Sequence, residues 1–323
     1  MAWQERLKEN LNGVKENKVL KKYTTLGVGG ISQFLYTAKS IDDLIRTVSI
    51  ARNCGAPYQI IGAGSNIVVS ENQYNGLIIC NKSSLINIDN ESGRVIADSG
   101  ASLSRVILDA ASNGLGGLET LYGIPGTVGG AVIVNAGAHG VSIAQYLKSA
   151  SVIISSDKLL SVKGDWFEFG YRTSRLKYKK NDAAPVILNV IFQFQRKKKE
   201  EIIKNIAKYK KWREANQPVG ERTCGSIFKN PVGTDNAQNN HEQEKTAGYL
   251  LDQSGAKKFK VGGAYVSKKH ANWVINSGHG TGFEVRHLIE KMRDAVSEKF
   301  KIELVEEIEY LGEWNESDWK GKS

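Results

Sequence analysis

Nine glycines lie between positions 114 and 140, interleaved with leucine, isoleucine and valine. A flexible glycine-rich linker would carry serine, glutamine and proline in place of these apolar residues. Glycine among residues that belong in a core indicates backbone at positive φ, or backbone pressed against a ligand. Tight turns in a compact β-rich domain would explain one or two of these glycines, but not nine. The segment therefore predicts an ordered domain whose backbone approaches a ligand closely.

A shorter glycine turn lies earlier in the chain, after a predicted strand; it is the first glycine turn, and the segment at 114–140 is the second glycine segment. Residues 58–61 form the predicted strand, residues 62–66 read Gly-Ala-Gly-Ser-Asn, and residues 67–69 form the next strand. Such a turn offers consecutive backbone N–H groups and a hydroxyl to a phosphate. It is not the dinucleotide fingerprint, which needs a third glycine at the start of a helix. It predicts a phosphate-binding turn between two strands.

Hydrophobic periodicity and capping residues predict a mixture of helices and strands. The helices are expected at 40–54 (with Gly55 as C-cap), 102–113, 200–214 and 281–300. Further strands are expected at 151–154, 186–194 and 307–311. The apolar face of the third helix is predicted to be Ile203, Ile206, Tyr209 and Trp212. Glycine-rich turns first and helices later indicate an α+β fold.

Length, apolar stretches, cysteine spacing and net charge limit the kinds of protein that this chain can be. The 323 residues are enough for two or three domains, and no apolar stretch reaches the roughly 20 residues of a membrane helix. The N-terminus has no apolar signal region, and three widely spaced cysteines form no disulfide framework. The net charge of +10 includes a basic run from Arg196 that alternates with glutamate, which is typical of a solvated helix face. We therefore expect a soluble cytoplasmic protein with no nucleic-acid or membrane partner, while anionic small molecules remain open.

Three polar segments are candidates for chemistry, and each also has an ordinary structural interpretation. Residues 224–231 place a hydroxyl, an amine and an amide close together, but on spacing alone they are equally well a turn into a proline. The Tyr171–Arg175 segment contains an arginine that can hold an anionic oxygen, or is a solvated turn. Glu306 and Glu307 form an acidic pair at the start of a predicted strand. The five histidines show no ligand spacing, so no metal is expected.

Taken in order, the motifs of the chain resemble those of the UDP-N-acetylenolpyruvoylglucosamine reductases, flavoenzymes that complete UDP-N-acetylmuramic acid in peptidoglycan synthesis. Each motif alone is weak, but the ordered set is specific and spans about residues 24–312. The motifs lie at 24–30, 61–66, 114–119, 123–130, 135–137, 171–174, 225–231, 247–250, 262–267, 270–273 and 307–312.

The resemblance implies an α+β FAD-binding fold of the vanillyl-alcohol-oxidase type, followed by an α+β substrate-binding domain. The expected domains are an N-terminal helical segment at 1–20, an FAD-binding domain at 21–195, a substrate-binding domain at 196–312 and a loose tail at 313–323. The FAD-binding domain is expected to have two subdomains, at about 21–82 and 83–195. The short stretch between Tyr171 and the strand at 186–194 indicates the compact subclass, which lacks an extra substrate-covering loop.

The resemblance also implies non-covalent FAD, with NADPH as co-substrate. The two glycine segments would hold the FAD. The residues implied are Gly62, Ala63, Gly64, Ser65, Asn66, Gly123, Ile124, Pro125, Gly126, Thr127, Gly129, Gly130, Asn135, Ala136 and Gly137.

In this family hydride adds to C3 of the enolpyruvyl group and leaves negative charge at C2, which needs stabilisation and a proton. By resemblance, Arg172 and Glu307 bind or polarise the carboxylate and Ser226 donates the proton to C2. Tyr171, Lys229 and Asn230 are expected to contact the substrate. We expect a monomer.

Two features depart from the family pattern. Glu309 stands where the family usually has arginine, and residues 236–245 form a longer, more polar loop than expected. Two other functions remain open at this point. One is an oxidase of the same flavin fold that uses oxygen instead of NADPH, and the other is a catalytically silent nucleotide-sugar binding protein.

Overall fold

The computed structural model describes residues 2–154, 158–177, 184–231, 245–315 and 317. The chain forms two compact units. Unit 1 comprises residues 1–17, 33–62 and 75–212, and unit 2 comprises residues 18–32, 63–74 and 213–323. Unit 2 thus includes two short segments that the predicted domain boundaries assign to the FAD-binding domain. All of the predicted loop at 236–245 except Lys245, and most of the predicted tail at 313–323, lie outside the described residues.

The helices match the sequence prediction well where capping residues define their ends. Ser40 accepts a hydrogen bond from the Asp43 N–H, Gly55 ends the same helix at φ +67°, and Thr281 forms a capping box with Glu284. Such caps satisfy backbone groups that a helix end would otherwise leave unpaired. The described helices are α1 Trp3–Asn10, α2 Ile41–Cys54, α3 Leu103–Ser112, α4 Val128–Ile133, α5 Lys199–Asn216, α6 Ala247–Gln253 and α7 Gly282–Phe300.

The predicted apolar face of α5 is correct at Ile206 and wrong at Ile203 and Trp212. Ile203 is 57% exposed and Trp212 is 42% exposed, whereas Ile202 is buried together with Ile206 in the core of unit 1. Ile202 and Ile203 are adjacent, so the spacing alone does not decide which of them faces the core. The aromatic residues of α5 pack elsewhere, since the Trp212 ring lies 4.5 Å from that of His139.

Most predicted strands are present, with two corrections. The strand predicted at 151–154 begins earlier, at Leu147, and the strand predicted at 307–311 begins at Glu309. Glu307 is outside that strand because its N–H donates to the Ile227 carbonyl instead. The strands are β1 Lys15–Val19, β2 Ile31–Ala38, β3 Tyr58–Ile61, β4 Ile67–Val69, β5 Tyr74–Asn81, β6 Ile86–Asp89, β7 Arg94–Asp98, β8 Leu115–Gly116, β9 Gly137–Ala138, β10 Val141–Ser142, β11 Leu147–Ile153, β12 Leu159–Lys163, β13 Val186–Gln193, β14 Gln195–Arg196, β15 Lys260–Val261, β16 Ala264–Val266, β17 Val274–Asn276 and β18 Glu309–Leu311.

Unit 1 is built around two sheets. The first has the strand order β12-β11-β13-β7-β6 with antiparallel pairs. The second, of order β1-β2-β5-β3, lies mainly in unit 1 and pairs β3 with β5 in parallel. One core packs α3 and α4 against the first sheet, and a second core packs α1 and α2 against β2, β3 and β5.

Unit 2 has its own core, in which α6 and α7 pack with the three-stranded sheet β15-β16-β17. The strands β4 and β18 form a separate parallel pair, with Ile67 opposite Glu309. The strand β4 directly follows the first glycine turn and β18 begins two residues after Glu307, so their pairing brings these two parts of the chain together. The mixture of helices with mostly antiparallel sheets in both units agrees with the predicted α+β class.

Candidate active site

The N-terminus of α4 lies at the centre of the second glycine segment in unit 1. The Val128 N–H donates to the Ala101 carbonyl at 2.9 Å, and the Gly129 N–H donates to the Ser99 carbonyl at 2.8 Å. The Thr127 hydroxyl accepts from the Gly130 N–H at 3.4 Å. These bonds fix the first turn of α4 against the chain that leaves β7.

The two predicted glycine motifs meet at this point. A Cβ added to Gly62, the first residue after β3, would lie only 2.3 Å from the Oγ1 of Thr127. A Cβ added to Gly130 would find that same oxygen at 3.5 Å, an ordinary contact distance, and Gly130 is exposed. Gly62 is therefore required by packing within the protein, whereas the neighbouring protein atoms leave room for a side chain at Gly130.

Asn135 links the end of the glycine segment to the turn that carries Arg172. Its backbone has φ +46° and its side chain is 8% exposed. Its Nδ2 donates to the Gly170 carbonyl at 2.9 Å, and its Oδ1 accepts from the Ala144 N–H at 3.0 Å. The predicted cofactor contact at Asn135 is thus a side chain that already bonds two backbone groups of unit 1.

Arg172 lies next to Gly137 in unit 1. A Cβ added to Gly137 would be 3.2 Å from the Arg172 Nη1, and the guanidinium lies 5.6 Å from the Tyr171 ring centre. The backbone of Arg172 is left-handed, at φ +52°, and its carbonyl accepts from the buried Lys177 amine at 3.4 Å. Glycine at 137 therefore leaves space that the guanidinium occupies.

Ser226 belongs to an extended segment in unit 2 that Asn272 holds on one side. The Asn272 Oδ1 accepts from the Phe228 N–H at 2.9 Å, and its Nδ2 donates to the Phe228 carbonyl at 2.8 Å. Its carbonyl accepts from the Ile227 N–H at 2.9 Å. Asn272 is 4% exposed, so these bonds are shielded from water. The motif at 270–273 was recognised in the sequence without this role, which needs the fold to bring it beside residues 226–228.

Glu307 lies along the other side of the same segment. Its N–H donates to the Ile227 carbonyl at 2.8 Å, and its own carbonyl accepts from the Asn66 Nδ2 at 3.2 Å. The Asn66 carbonyl in turn accepts from the Glu309 N–H at 2.9 Å. Unit 2 thus brings together the end of the first glycine turn, the Ser226 segment and Glu307.

Thr25 forms a hydrogen bond to the backbone of the first glycine turn, a role that sequence reasoning did not assign. Its N–H donates to the Gly64 carbonyl at 3.1 Å, and its hydroxyl donates to the Thr223 carbonyl at 2.7 Å. Gly64 has φ +63°, and an added Cβ would be 2.1 Å from the Tyr23 carbonyl oxygen. The motif at 24–30 therefore ties the turn to the chain that leads into Ser226.

The remaining predicted residues are placed as follows. The Asn230 Oδ1 accepts from the Ala247 N–H at 3.1 Å, at the start of α6, and the Lys229 N–H donates to the Val305 carbonyl at 2.8 Å. Glu306, the other member of the predicted acidic pair, forms ion pairs with Arg286 and Arg293. Glu306 therefore serves an ion-pair cluster, and Glu307 is the better candidate for chemistry.

The predicted residues divide between the units. Gly62, the segment 123–137, Tyr171 and Arg172 belong to unit 1, whereas residues 63–66, Ser226, Lys229, Asn230 and Glu307 belong to unit 2.

Burial changes the titration of several groups. It lowers the pKa of His270, with a smaller contribution from the nearby Lys257 amine. Burial raises the pKa of the Cys80 thiol to about 11 and that of the Cys224 thiol to about 12, so neither is a thiolate nucleophile at neutral pH. Among the described residues, no cluster of histidine, cysteine and carboxylate side chains has the arrangement of a metal site. In the same part of the chain, no helix has the length and hydropathy of a membrane span.

Two family models match the chain. One, described as an FAD binding domain, matches residues 32–163. The other, described as the C-terminal domain of UDP-N-acetylenolpyruvoylglucosamine reductase, matches residues 217–311. The first range contains both glycine segments, and the second contains Ser226 and Glu307.

Curated relatives match over nearly their whole length. The UDP-N-acetylenolpyruvoylglucosamine reductase of Carboxydothermus hydrogenoformans is 36% identical over 313 residues, covering 95% of this chain and 99% of the relative. The enzyme of the same name from Bacillus subtilis is 31% identical over 309 residues, covering 96% and 97%.

A solved structure is also similar to this chain. It is the crystal structure of the UDP-N-acetylenolpyruvylglucosamine reductase from Thermus caldophilus, with a TM-score of 0.75 and 31% sequence identity. The match covers 92% of this chain and 98% of that chain.

Proposed function

The chain belongs to the UDP-N-acetylenolpyruvoylglucosamine reductase family, and we propose that it carries out the reaction of that family at the residues described above. The reaction is the FAD-containing, NADPH-dependent reduction of UDP-N-acetylglucosamine enolpyruvate to UDP-N-acetylmuramate in peptidoglycan synthesis. The observation that carries this assignment is the match of relatives at 30% identity or more over nearly the whole of both chains.

The glycine segments fit a bound FAD. At Gly62 the side chain of Thr127 lies so close to the backbone that no Cβ fits between them. Gly130 lies within α4, where alanine would be more favourable by about 0.5–1 kcal/mol, and surrounding protein atoms leave room for its methyl group. A ligand that needs close approach to the backbone accounts for glycine at that position. We propose that the turn at 62–66 and the segment 123–137 hold the cofactor.

When bound, FAD would supply the redox chemistry, namely the transfer of hydride from NADPH to C3 of the enolpyruvyl group. The protein has to stabilise the negative charge that develops at C2 and in the attached carboxylate. Arg172 is suited to this task because a guanidinium presents several fixed donors to a carboxylate. The Asn135–Gly170 bond and the packing against Gly137 hold this arginine in place before substrate binds.

Ser226 and Glu307 are the proposed reacting residues of unit 2. We propose that the Ser226 hydroxyl donates the proton to C2 and that Glu307 polarises the carboxylate. The two residues lie on adjacent segments joined by the Glu307–Ile227 hydrogen bond, so backbone pairing sets the separation of the positions from which their side chains extend. Tyr171, Lys229 and Asn230 are proposed to contact the sugar nucleotide. A positioned proton donor contributes typically about 10²–10⁴-fold to the rate.

The proposed setting is the bacterial cytoplasm, where the reaction would serve cell wall synthesis, and through it cell shape and division. All three cysteines are buried and unbridged, which supports a reducing compartment. We further propose that the protein is a monomer. Light scattering of the protein as it elutes from a size-exclusion column gives the mass that checks this.

The visible spectrum of the purified protein tests the proposed function. We expect a yellow protein that oxidises NADPH only when the UDP-linked enolpyruvyl substrate is present, and whose flavin is released intact by acid or heat. A colourless protein that gains no spectrum on addition of FAD would refute the proposal. Rapid peroxide formation from the reduced protein would instead indicate an oxidase.

A further inference from the structure

Four charged side chains of unit 2 form a cluster beside Glu307. Arg286 on α7 lies 3.2 Å from Glu306 and 2.7 Å from Glu290, while Arg293 lies 2.7 Å from Glu290 and also contacts Glu306. The Glu306 side chain is only 14% exposed. Two guanidinium groups thus hold two carboxylates, one on their own helix and one on the segment that carries Glu307.

The same two arginines also lie over two aromatic rings, one on the chain after Glu307 and one on the Ser226 segment. The Arg286 guanidinium lies 4.2 Å from the Tyr310 ring centre, and that of Arg293 lies 6.0 Å from the Phe228 ring centre. Glu306 itself forms a β-bridge with Phe228, which is two residues from Ser226. The cluster therefore connects α7 to the Ser226 segment and to both ends of the Glu307 turn.

We propose that Glu306, held by Arg286 and Arg293, is a positioning residue that fixes the direction in which Glu307 presents its carboxylate. The backbone around Glu307 is bonded to Ile227 and Asn66, and the bridge between Glu306 and Phe228 pairs it with the Ser226 segment. Those bonds join extended segments only to one another. The Glu306 ion pairs are the contacts that anchor the paired segments to α7. Buried ion pairs contribute little net stability, and a structural role in fixing geometry is the better reason to retain one. This inference rests on the proposed role of Glu307.

Glu290 provides a matched control within the same cluster. It contacts the same two arginines at 2.7 Å, but it lies on α7 one helical turn from each of them. Glu290→Gln removes one negative charge from the cluster and leaves the link between α7 and the Glu307 segment in place. Glu306→Gln removes one negative charge of the same cluster and weakens that link.

The experiment compares the two variants in the FAD-containing protein. We expect Glu306→Gln to slow reoxidation of the reduced flavin by the enolpyruvyl substrate about 10-fold. Small misplacements of a reacting group have effects up to about 10²-fold. Reduction by NADPH should change less than about 2-fold. Hydrogen exchange of the peptide 303–311 should increase in Glu306→Gln and stay at the parent level in Glu290→Gln. Reoxidation in Glu290→Gln should stay near the parent rate.

The inference is overturned if Glu306→Gln and Glu290→Gln slow flavin reoxidation equally. It is also overturned if Glu306→Gln keeps the parental rates of flavin reoxidation and hydrogen exchange. Glu307→Gln separates this result from a failure of the proposed function. If Glu307→Gln reoxidises slowly while Glu306→Gln matches the parent, only the positioning role is wrong. If Glu307→Gln itself reoxidises at the parental rate, the proposed role of Glu307 is wrong, and the positioning role with it.

Discussion

Unit 1 and unit 2 build their parts of the site in different ways. In unit 1 the Gly62 backbone packs against the Thr127 side chain, which leaves no space for even one methyl group at Gly62. In unit 2 the proposed reacting side chains project from extended segments whose backbones are fixed by Asn66 and Asn272. Substitutions in unit 1 should therefore affect folding and cofactor binding together. Substitutions of the unit 2 side chains should affect chemistry while leaving the fold unchanged.

The largest expected effect is that of Ser226→Ala, which tests the unit 2 side of this comparison. Loss of the proposed proton donor should slow reoxidation by the enolpyruvyl substrate by about 10²–10⁴-fold. FAD binding and reduction by NADPH should stay near the parental values, because neither step needs that proton. Stopped-flow absorbance of the two half-reactions measures both.

Ser254→Ala is the matched control for this variant, since Ser254 is a serine of unit 2 whose hydroxyl bonds the Leu251 carbonyl at the end of α6. It should leave both half-reactions unchanged. If Ser226→Ala reoxidises as fast as the parent, the serine is not the proton donor, and Glu307 or a bound water must deliver the proton.

Gly62→Ala should have the next largest effect, and it tests the unit 1 side. The new Cβ would clash with Thr127, and such overpacking costs typically about 1–3 kcal/mol. Because Thr127 caps α4, we expect lower stability and weaker FAD binding in the same variant. Thermal unfolding and fluorescence titration with FAD are the two measurements.

Gly130→Ala separates the effect on FAD binding from the effect on stability. Its Cβ would lie 3.5 Å from the same Thr127 oxygen, so it would not clash. We expect the FAD-free protein to be about 0.5–1 kcal/mol more stable, as for alanine in place of glycine in a helix, while FAD binding weakens. Unchanged FAD affinity in Gly130→Ala would show that the cofactor does not approach this residue.

The parts of the molecule that sequence reasoning predicted correctly are those determined locally. The bounds of α2 and α7 follow from Ser40, Gly55 and Thr281, whose capping bonds involve residues three or four positions away. The buried face of α5 was not predictable, because Ile202 is selected by its packing against distant parts of unit 1. The roles of Thr25 and Asn272 were missed for the same reason, since each acts on backbone far along the chain.

Asn135 should show an effect of intermediate size in unit 1. In Asn135→Gly the positive φ is retained without strain, while the bonds to Gly170 and Ala144 are lost. We expect a loss of about 1–3 kcal/mol in the free energy of unfolding. Since the Gly170 bond holds the Arg172 turn, the KM for the enolpyruvyl substrate should rise more than that for NADPH.

Asn135→Asp sharpens this test, because aspartate keeps the acceptor for Ala144 and loses only the donor to Gly170. If the Gly170 bond positions Arg172, the substrate KM should rise in both variants. A normal substrate KM in Asn135→Asp would assign the whole effect to the Ala144 bond and to general stability.

The smallest expected effect is a pH dependence in unit 2 that acts through His270. Its Nδ1 accepts from the Asn272 N–H at 3.2 Å, so the neutral ring supports the residue that holds the Ser226 segment. Burial lowers the pKa of His270, with a further contribution from Lys257, while Asp252 acts in the opposite direction. Between the lowered pKa and the ordinary value of about 6.5, the unfolded chain binds more protons than the folded chain.

The free energy of unfolding should therefore rise with pH across that window. The part linked to His270 is lost as the pH falls from about 6.5 through the lowered pKa, and it amounts to about 1.4 kcal/mol for each unit of the shift. In His270→Asn the side-chain oxygen retains an acceptor near the Nδ1 position, and this pH-dependent part should disappear. Urea unfolding between pH 5 and 8 measures the slope, and His279→Asn, which removes an exposed histidine, controls for the loss of a histidine as such. If His270→Asn keeps the parental slope, another group accounts for the pH dependence. The fixed backbone of the Ser226 segment would then be independent of pH, as the glycine contacts of unit 1 are expected to be.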